Sequence, residues 1–140
     1  MKNSPFPADT FGDQLTWLEA DLAAASVDPS IDWIIVGGHR PLYSSHSGLS
    51  SNGIPIADSY RAQQAFESLF HQYGVDVYFD GHVHGYERTY PVYQSEVFGE
   101  NTQNEYYNPP ATVYVVNGIA GVSFFNLITF YFETNDFVTY

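Results

Sequence analysis

At 140 residues, with 44% apolar and 18% aromatic side chains, the chain can bury one modest core, which excludes both a disordered polymer and two full domains. Sixteen acids against four bases (Lys2, Arg40, Arg61 and Arg88) leave a formal charge of -12, which repels phosphate backbones and anionic lipid and argues against nucleic acid or membrane partners. No cysteine is present, so a thiol nucleophile is excluded and a metal can be held only by imidazole, carboxylate, amide or phenolate.

The opening "MKNSPFPADTFGD" has no apolar core of signal-peptide length. In "DQLTWLEADLAAA", Leu15, Leu18 and Leu22 at helical spacing predict a helix over 13–25, with acids near its start and an end before Asp28-Pro29. "DWIIVGG" (32–38) is a short continuous apolar run with β-branched residues and predicts a buried strand. A loop rich in Ser and Gly follows over 38–58. "SYRAQQAFESLFHQYG" then sets Ala62, Ala65, Phe66, Leu69, Phe70 and Tyr73 on one helical stripe, with Ser59 as N-cap and Gly74 as the residue past the C-terminus. "VDVYF" (75–79) and "TVYVVNG" (112–118) predict two further strands, separated over 92–111 by a polar hairpin-like excursion or loop. The late run "VSFFNLITFYF" (122–132), broken by Asn126, is too short to span a bilayer.

Strand, loop, helix, strand is a βαβ unit, so the first two strands should be parallel neighbours with ligands outside their carboxyl ends. That rule places His39, after "WIIVGG", and His82, after "VDVYFDG", on one edge. His84 follows His82 by two, and in an extended segment the pair faces one point; Gly81 and Gly85, like Gly37 and Gly38, permit tight turns. Three neutral imidazoles there make a divalent-metal site; chance spacing on a loop is the plainer alternative. Other residues carry weaker signals. Arg40 and Arg88 can bind phosphate bidentately or serve as structural ion pairs. His46 can reach a substrate or be an exposed loop residue. Asp80 can orient an imidazole from behind, Tyr86 and Tyr90 are expected to pack, and His71 is expected at the solvated surface.

Taken together, "QLTWLEADL", "WIIVGGHRPLYSS", "GVDVYFDGHVHGYERTYPVY" and "VYVVNGIAG" resemble the purple acid phosphatases, within the calcineurin-like metallophosphoesterases, from about Phe11 to Gly121. Gly-His-x-His alone marks only the superfamily; the Tyr86-Glu87-Arg88-Thr89-Tyr90-Pro91 extension and the Gly-Gly-His-Arg-Pro block are more particular. The resemblance implies an α/β fold of the α+β sandwich type, a mixed sheet with flanking helices, here incomplete. On that reading residues 1–140 form a single partial domain, 11–121 resembling the C-terminal half of the catalytic domain and 122–140 a divergent tail. It implies hydrolysis of phosphate monoesters at a dinuclear centre, ferric iron beside zinc, manganese or iron, and a secreted or vacuolar setting. His39 and His82 would bind the divalent ion and His84 the ferric ion. Histidines in the loop after the Gly-Gly-His block would touch phosphate or protonate the leaving group; His46 is the candidate, at an offset unlike the family's.

The departures are as informative. The family's Asp-x-Gly, Gly-Asp-x-x-Tyr and Gly-Asn-His motifs are absent; at Gly12-Asp13, Thr16 stands where the iron-binding tyrosine would be. The chain alone is therefore expected to lack half of the site, to hold a single ion at most, and to expose sheet edges open to association. A truncated or mis-spliced reading frame fits the same pattern. Three readings stay open: part of an acid phosphatase, a non-catalytic metal-binding or interaction remnant, and a calcineurin-like phosphodiesterase, which the Tyr86–Pro91 extension argues against.

Overall fold

The computed structural model describes residues 13–49, 51, 55, 56, 60–98 and 108–119; Gly12, the expected cap Ser59 and the tail 122–140 lie outside them. Helix α1 occupies Asp13–Ala25, as the leucine spacing predicts, with Leu22 buried and Leu18 packed against the core. Past its end, the Asp28 carboxylate accepts hydrogen bonds from the Ser30 N–H (2.9 Å) and hydroxyl (2.7 Å), which folds the chain back.

Strand β1 (Ile35–Gly37) comes next, then a hairpin of β2 (Ser44–Leu49) and β3 (Pro55–Ile56). That hairpin corrects the loop expected over 38–58. Helix α2 (Tyr60–Tyr73) ends on Gly74, whose φ of 67° is the left-handed conformation glycine adopts freely. The Val75 N–H donates back to the Phe70 carbonyl at 2.9 Å, closing a Schellman-type cap. Strands β4 (Val77–Asp80), β5 (Tyr86–Arg88), β6 (Val92–Tyr93), β7 (Glu96–Val97) and β8 (Val113–Asn117) complete the order, β6 and β7 forming a small hairpin.

The main sheet runs β1-β4-β8-β5. β1, β4 and β8 are parallel, as the βαβ reading requires, and β5 is antiparallel to β8. Register puts Val36, Tyr78, Asp80, Tyr114, Val116 and Glu87 on one face. Beneath that face Leu22, Phe70, Tyr78, Tyr114, Leu42 and Tyr43 pack as one buried cluster, with aromatic centroids 4.9–6.0 Å apart at Tyr43–Tyr114, Phe70–Tyr78 and Tyr78–Tyr114.

The opposite face corrects a second expectation. β1 is an edge strand rather than a buried one, with Ile35 59% exposed and Trp33, just before it, 65% exposed. An apolar run states what a strand can bury, not what covers it. Beside them Phe79, Tyr86, Val113 and Val115 line an apolar hollow of about 330 Å³.

Candidate metal centre

The parallel pairing of β1 and β4 brings their carboxyl ends to one edge, and the backbone keeps the two following turns together. The Gly38 N–H donates to the Phe79 carbonyl (2.9 Å) and the Gly81 N–H to the His39 carbonyl (3.2 Å), carrying the ladder past the strand ends. Below them the Tyr78 hydroxyl donates to the Arg40 carbonyl at 3.0 Å. Gly38 makes room for this: a Cβ at Gly38 would collide with the Tyr78 hydroxyl, whereas Gly37 has open space around it. Burial, followed by the charge of Asp80, pushes the Tyr78 phenol well above its ordinary pKa, so it stays a donor.

Two imidazoles meet at this edge. His39 Nε2 lies 3.2 Å from His82 Nδ1, the rings edge-to-face with centroids 5.1 Å apart. An Arg40 guanidinium nitrogen lies 2.8 Å from the other ring nitrogen of His82, Nε2. His84 is exposed two residues on, and the premise that would align it with His82 is corrected. Residues 82–85 are a series of bends, not an extended segment, and His82 sits at a φ of 57°. A close backbone approach occurs at Gly118, where a Cβ would collide with the Val83 carbonyl. The turn is folded tightly onto the end of β8, with the Gly118 N–H donating to the Gly85 carbonyl at 3.1 Å.

The remaining candidates are dispersed. His46 is exposed within β2, its N–H donating to the Ser44 hydroxyl at 3.2 Å. Arg88 lies on the outer sheet face, opposite Val115, and lines the apolar hollow. Asp80 is buried at the end of β4. Tyr90 packs in the interior, but Tyr86, expected to pack, is 44% exposed on the outer face. His71 is at the surface, as expected, and also stacks on Tyr93 at 3.9 Å between centroids.

Two buried carboxylates went unread in the sequence. Glu87, 8% exposed, accepts from the Ser45 N–H (2.9 Å), the Ser45 hydroxyl (2.9 Å) and the Ser44 hydroxyl (3.5 Å), tying β5 to the start of β2. Glu67, in α2, accepts from the Tyr43 hydroxyl and from the Gln94 N–H (2.9 Å). The strand period offered a signal for the first: with Tyr86 and Arg88 outward, Glu87 faces inward and needs donors.

A family model described as "Calcineurin-like phosphoesterase" matches residues 2–86. The chain belongs to the calcineurin-like phosphoesterases. Among curated members it is 37% identical over 113 residues to "Acid phosphatase type 7" of Mus musculus, covering 77% of this chain and 26% of that protein. It is 43% identical over 111 residues to "Acid phosphatase A" of Cryphonectria parasitica, covering 79% of this chain and 19% of the other. A solved purple acid phosphatase from yellow lupin (Lupinus luteus) seeds superimposes with a TM-score of 0.67 at 30% identity, over 86% of this chain and 21% of that one. The resemblance read from the motifs is thus confirmed at family level, as is the mixed α/β architecture. This phosphoesterase chain spans about a quarter or less of the length of those relatives.

The family implies metal, and the histidine pair can be compared with a metal's geometry. At metal–nitrogen bonds of about 2.0–2.1 Å, adjacent ligand nitrogens of a tetrahedral ion lie roughly 3.3 Å apart. The His39 and His82 nitrogens, 3.2 Å apart, fit two corners of one such sphere. Among the described residues no group of three or more His, Cys, Asp or Glu side chains able to hold a metal forms.

Proposed function

We propose that this chain is the part of a metal-dependent acid phosphatase domain that supplies imidazole ligands for hydrolysis of phosphate monoesters. Residues 11–121 correspond to the C-terminal half of that catalytic domain and 122–140 diverge from it. One observation carries the reading: two parallel strand ends deliver His39 and His82 with ring nitrogens 3.2 Å apart. His39 and His82 would hold a divalent ion such as zinc, manganese or iron, and His84 an iron beside it when other ligands complete that position. The metal supplies Lewis acidity toward phosphate oxygens and a nucleophilic water at moderate pH. The chain's own residues do the rest. The turns after β1 and β4 fix the imidazoles against each other, Arg40 presents a guanidinium suited to phosphate oxygens at the same edge, and His46 is kept as a proposed substrate contact, whereas Arg88, on the outer sheet face, is not.

A second reading is favoured by the absence of a three-ligand cluster among the described residues. In it, the chain binds one ion through the pair and does no catalysis alone. Metal content of the purified chain, measured by mass spectrometry after exposure to iron and zinc, separates the two. Two ions per chain, retained in His71→Ala and lost in His82→Ala, support a complete site. One ion supports the single-site reading. Equal metal content in His82→Ala and His71→Ala overturns the histidine assignment altogether.

A further inference from the structure

We infer that the groove between α1 and the outer edge of β1 is a docking site for a basic, extended segment of a partner protein, which joins the sheet as a strand beside β1. The inference does not rest on the metal reading of the histidines.

Backbone pairing leaves that edge open. The Asp76 N–H donates to the Ile34 carbonyl (3.0 Å) and the Gly38 N–H to the Phe79 carbonyl (2.9 Å), so the bonds toward β4 fall on even-numbered residues of this segment. The N–H and C=O groups of Ile35 and Gly37 therefore point the other way. β1 ends the sheet order, and among the described residues no strand pairs with its outer side. Such an edge is a template for an incoming strand.

The groove alongside says what that strand carries. Residues 33–38 all line one hollow of about 370 Å³, as consecutive residues do when it runs along a strand's edge rather than over one face. Helix α1 forms the other wall with Trp17, Leu18 and, one turn on, Asp21. Trp17 and Trp33 are 62% and 65% exposed, which puts two indoles open to water in one groove. Indole faces attract a lysine or arginine head and pack against its methylene stem. Charge selects the same occupant. From Asp13 to Gly38 the chain carries five acids (Asp13, Glu19, Asp21, Asp28 and Asp32) and no Lys, Arg or His. The next base, Arg40, lies 2.8 Å from His82. An acidic strand would be repelled here, and a second copy would bring its own charge of -12.

Trp17 and Trp33 are the chain's only tryptophans, so intrinsic fluorescence reads the groove directly. The full chain is titrated at low salt with a short peptide of alternating lysine and valine, and with its glutamate-valine counterpart. The first should shift the emission in a saturable way that weakens as salt rises, and the second should not. Asp21→Lys should weaken binding of the lysine-valine peptide roughly tenfold or more, while Glu96→Lys, the same charge change on β7, should stay within about twofold of wild type. Amide exchange tests the strand itself and needs no variant: bound peptide should slow the Ile35 and Gly37 N–H groups roughly tenfold or more. Equal binding of the two peptides, an equal loss in the two lysine variants, or unchanged exchange at Ile35 and Gly37 overturns the site. Slowing of the same two amides when the protein alone is concentrated would give the groove to a second copy, which also overturns it.

Discussion

Gly37 and Gly38 are neighbours in the sequence with opposite tolerances. A methyl group at Gly38 would strike the Tyr78 hydroxyl that holds the Arg40 carbonyl, while one at Gly37 meets open space. Gly38→Ala should cost about 1–3 kcal/mol by overpacking and displace the turn carrying His39, whereas Gly37→Ala should be neutral or gain about 0.5 kcal/mol from lower chain entropy. Urea unfolding of the two variants checks the contrast. A Gly38→Ala protein as stable as wild type would mean that the Tyr78–Arg40 contact constrains nothing. His82 shows the same economy. Its left-handed φ of 57° is a conformation a side chain enters only at a cost, and it is what turns the ring back toward His39.

Between elements, the two buried carboxylates act as tethers. Glu87 joins β5 to the first residues of β2, so the strand after the histidine turn and the segment that follows His39 move together. Removing a buried acceptor strands its donors, so Glu87→Ala should lose about 1–3 kcal/mol, and Glu87→Gln, which keeps an acceptor oxygen, should recover part of it. Urea unfolding measures the size, and faster amide exchange at Ser45 in Glu87→Ala would place the damage at the tether. Glu67 does the same for the β6–β7 hairpin, receiving the Gln94 N–H while Tyr43, bonded to it, accepts from the Ser95 N–H at 3.1 Å. Helix α2 thereby reaches the hairpin through polar groups where its apolar stripe faces the sheet.

Over the whole molecule, the core carries three tyrosines whose phenols are pushed well above their ordinary pKa. Burial is the first cause in each; the hydrogen bond to Glu67 and its charge add to it at Tyr43, the charge of Asp80 at Tyr78 and that of Glu67 at Tyr114. A raised folded value means the phenol form is favoured on folding. Its contribution is fully present below the ordinary value of about 10 and is lost as pH rises through the raised values. The chain should therefore unfold in alkali above about pH 10, and of its 12 tyrosines these three should ionise only as circular dichroism is lost. Their ionisation in the intact fold, read from phenolate absorbance, would contradict the burial. Both helices, the parallel β1–β4 pair and the histidine edge were legible in the sequence, because leucine spacing, caps and strand-end placement are local or topological signals. The β2–β3 hairpin was not, since "SSHSGL" alternates nothing apolar. The exposure of β1 was not either, because it depends on what lies against the strand. The partners of Glu87 and the backward turn at His82 depend on residues more than forty positions away.

The outer face of the sheet, with Trp33, Ile35, Phe79 and Tyr86 open to water, sits on a chain of charge -12. In colloidal terms the molecule is an adhesive particle inside a repulsive coat, and the reach of that coat is the Debye length, about 30 Å in 0.01 M salt and only about 3 Å at 1 M. The dissolved ions around it, more than any contact within the fold, govern how near one copy comes to the next.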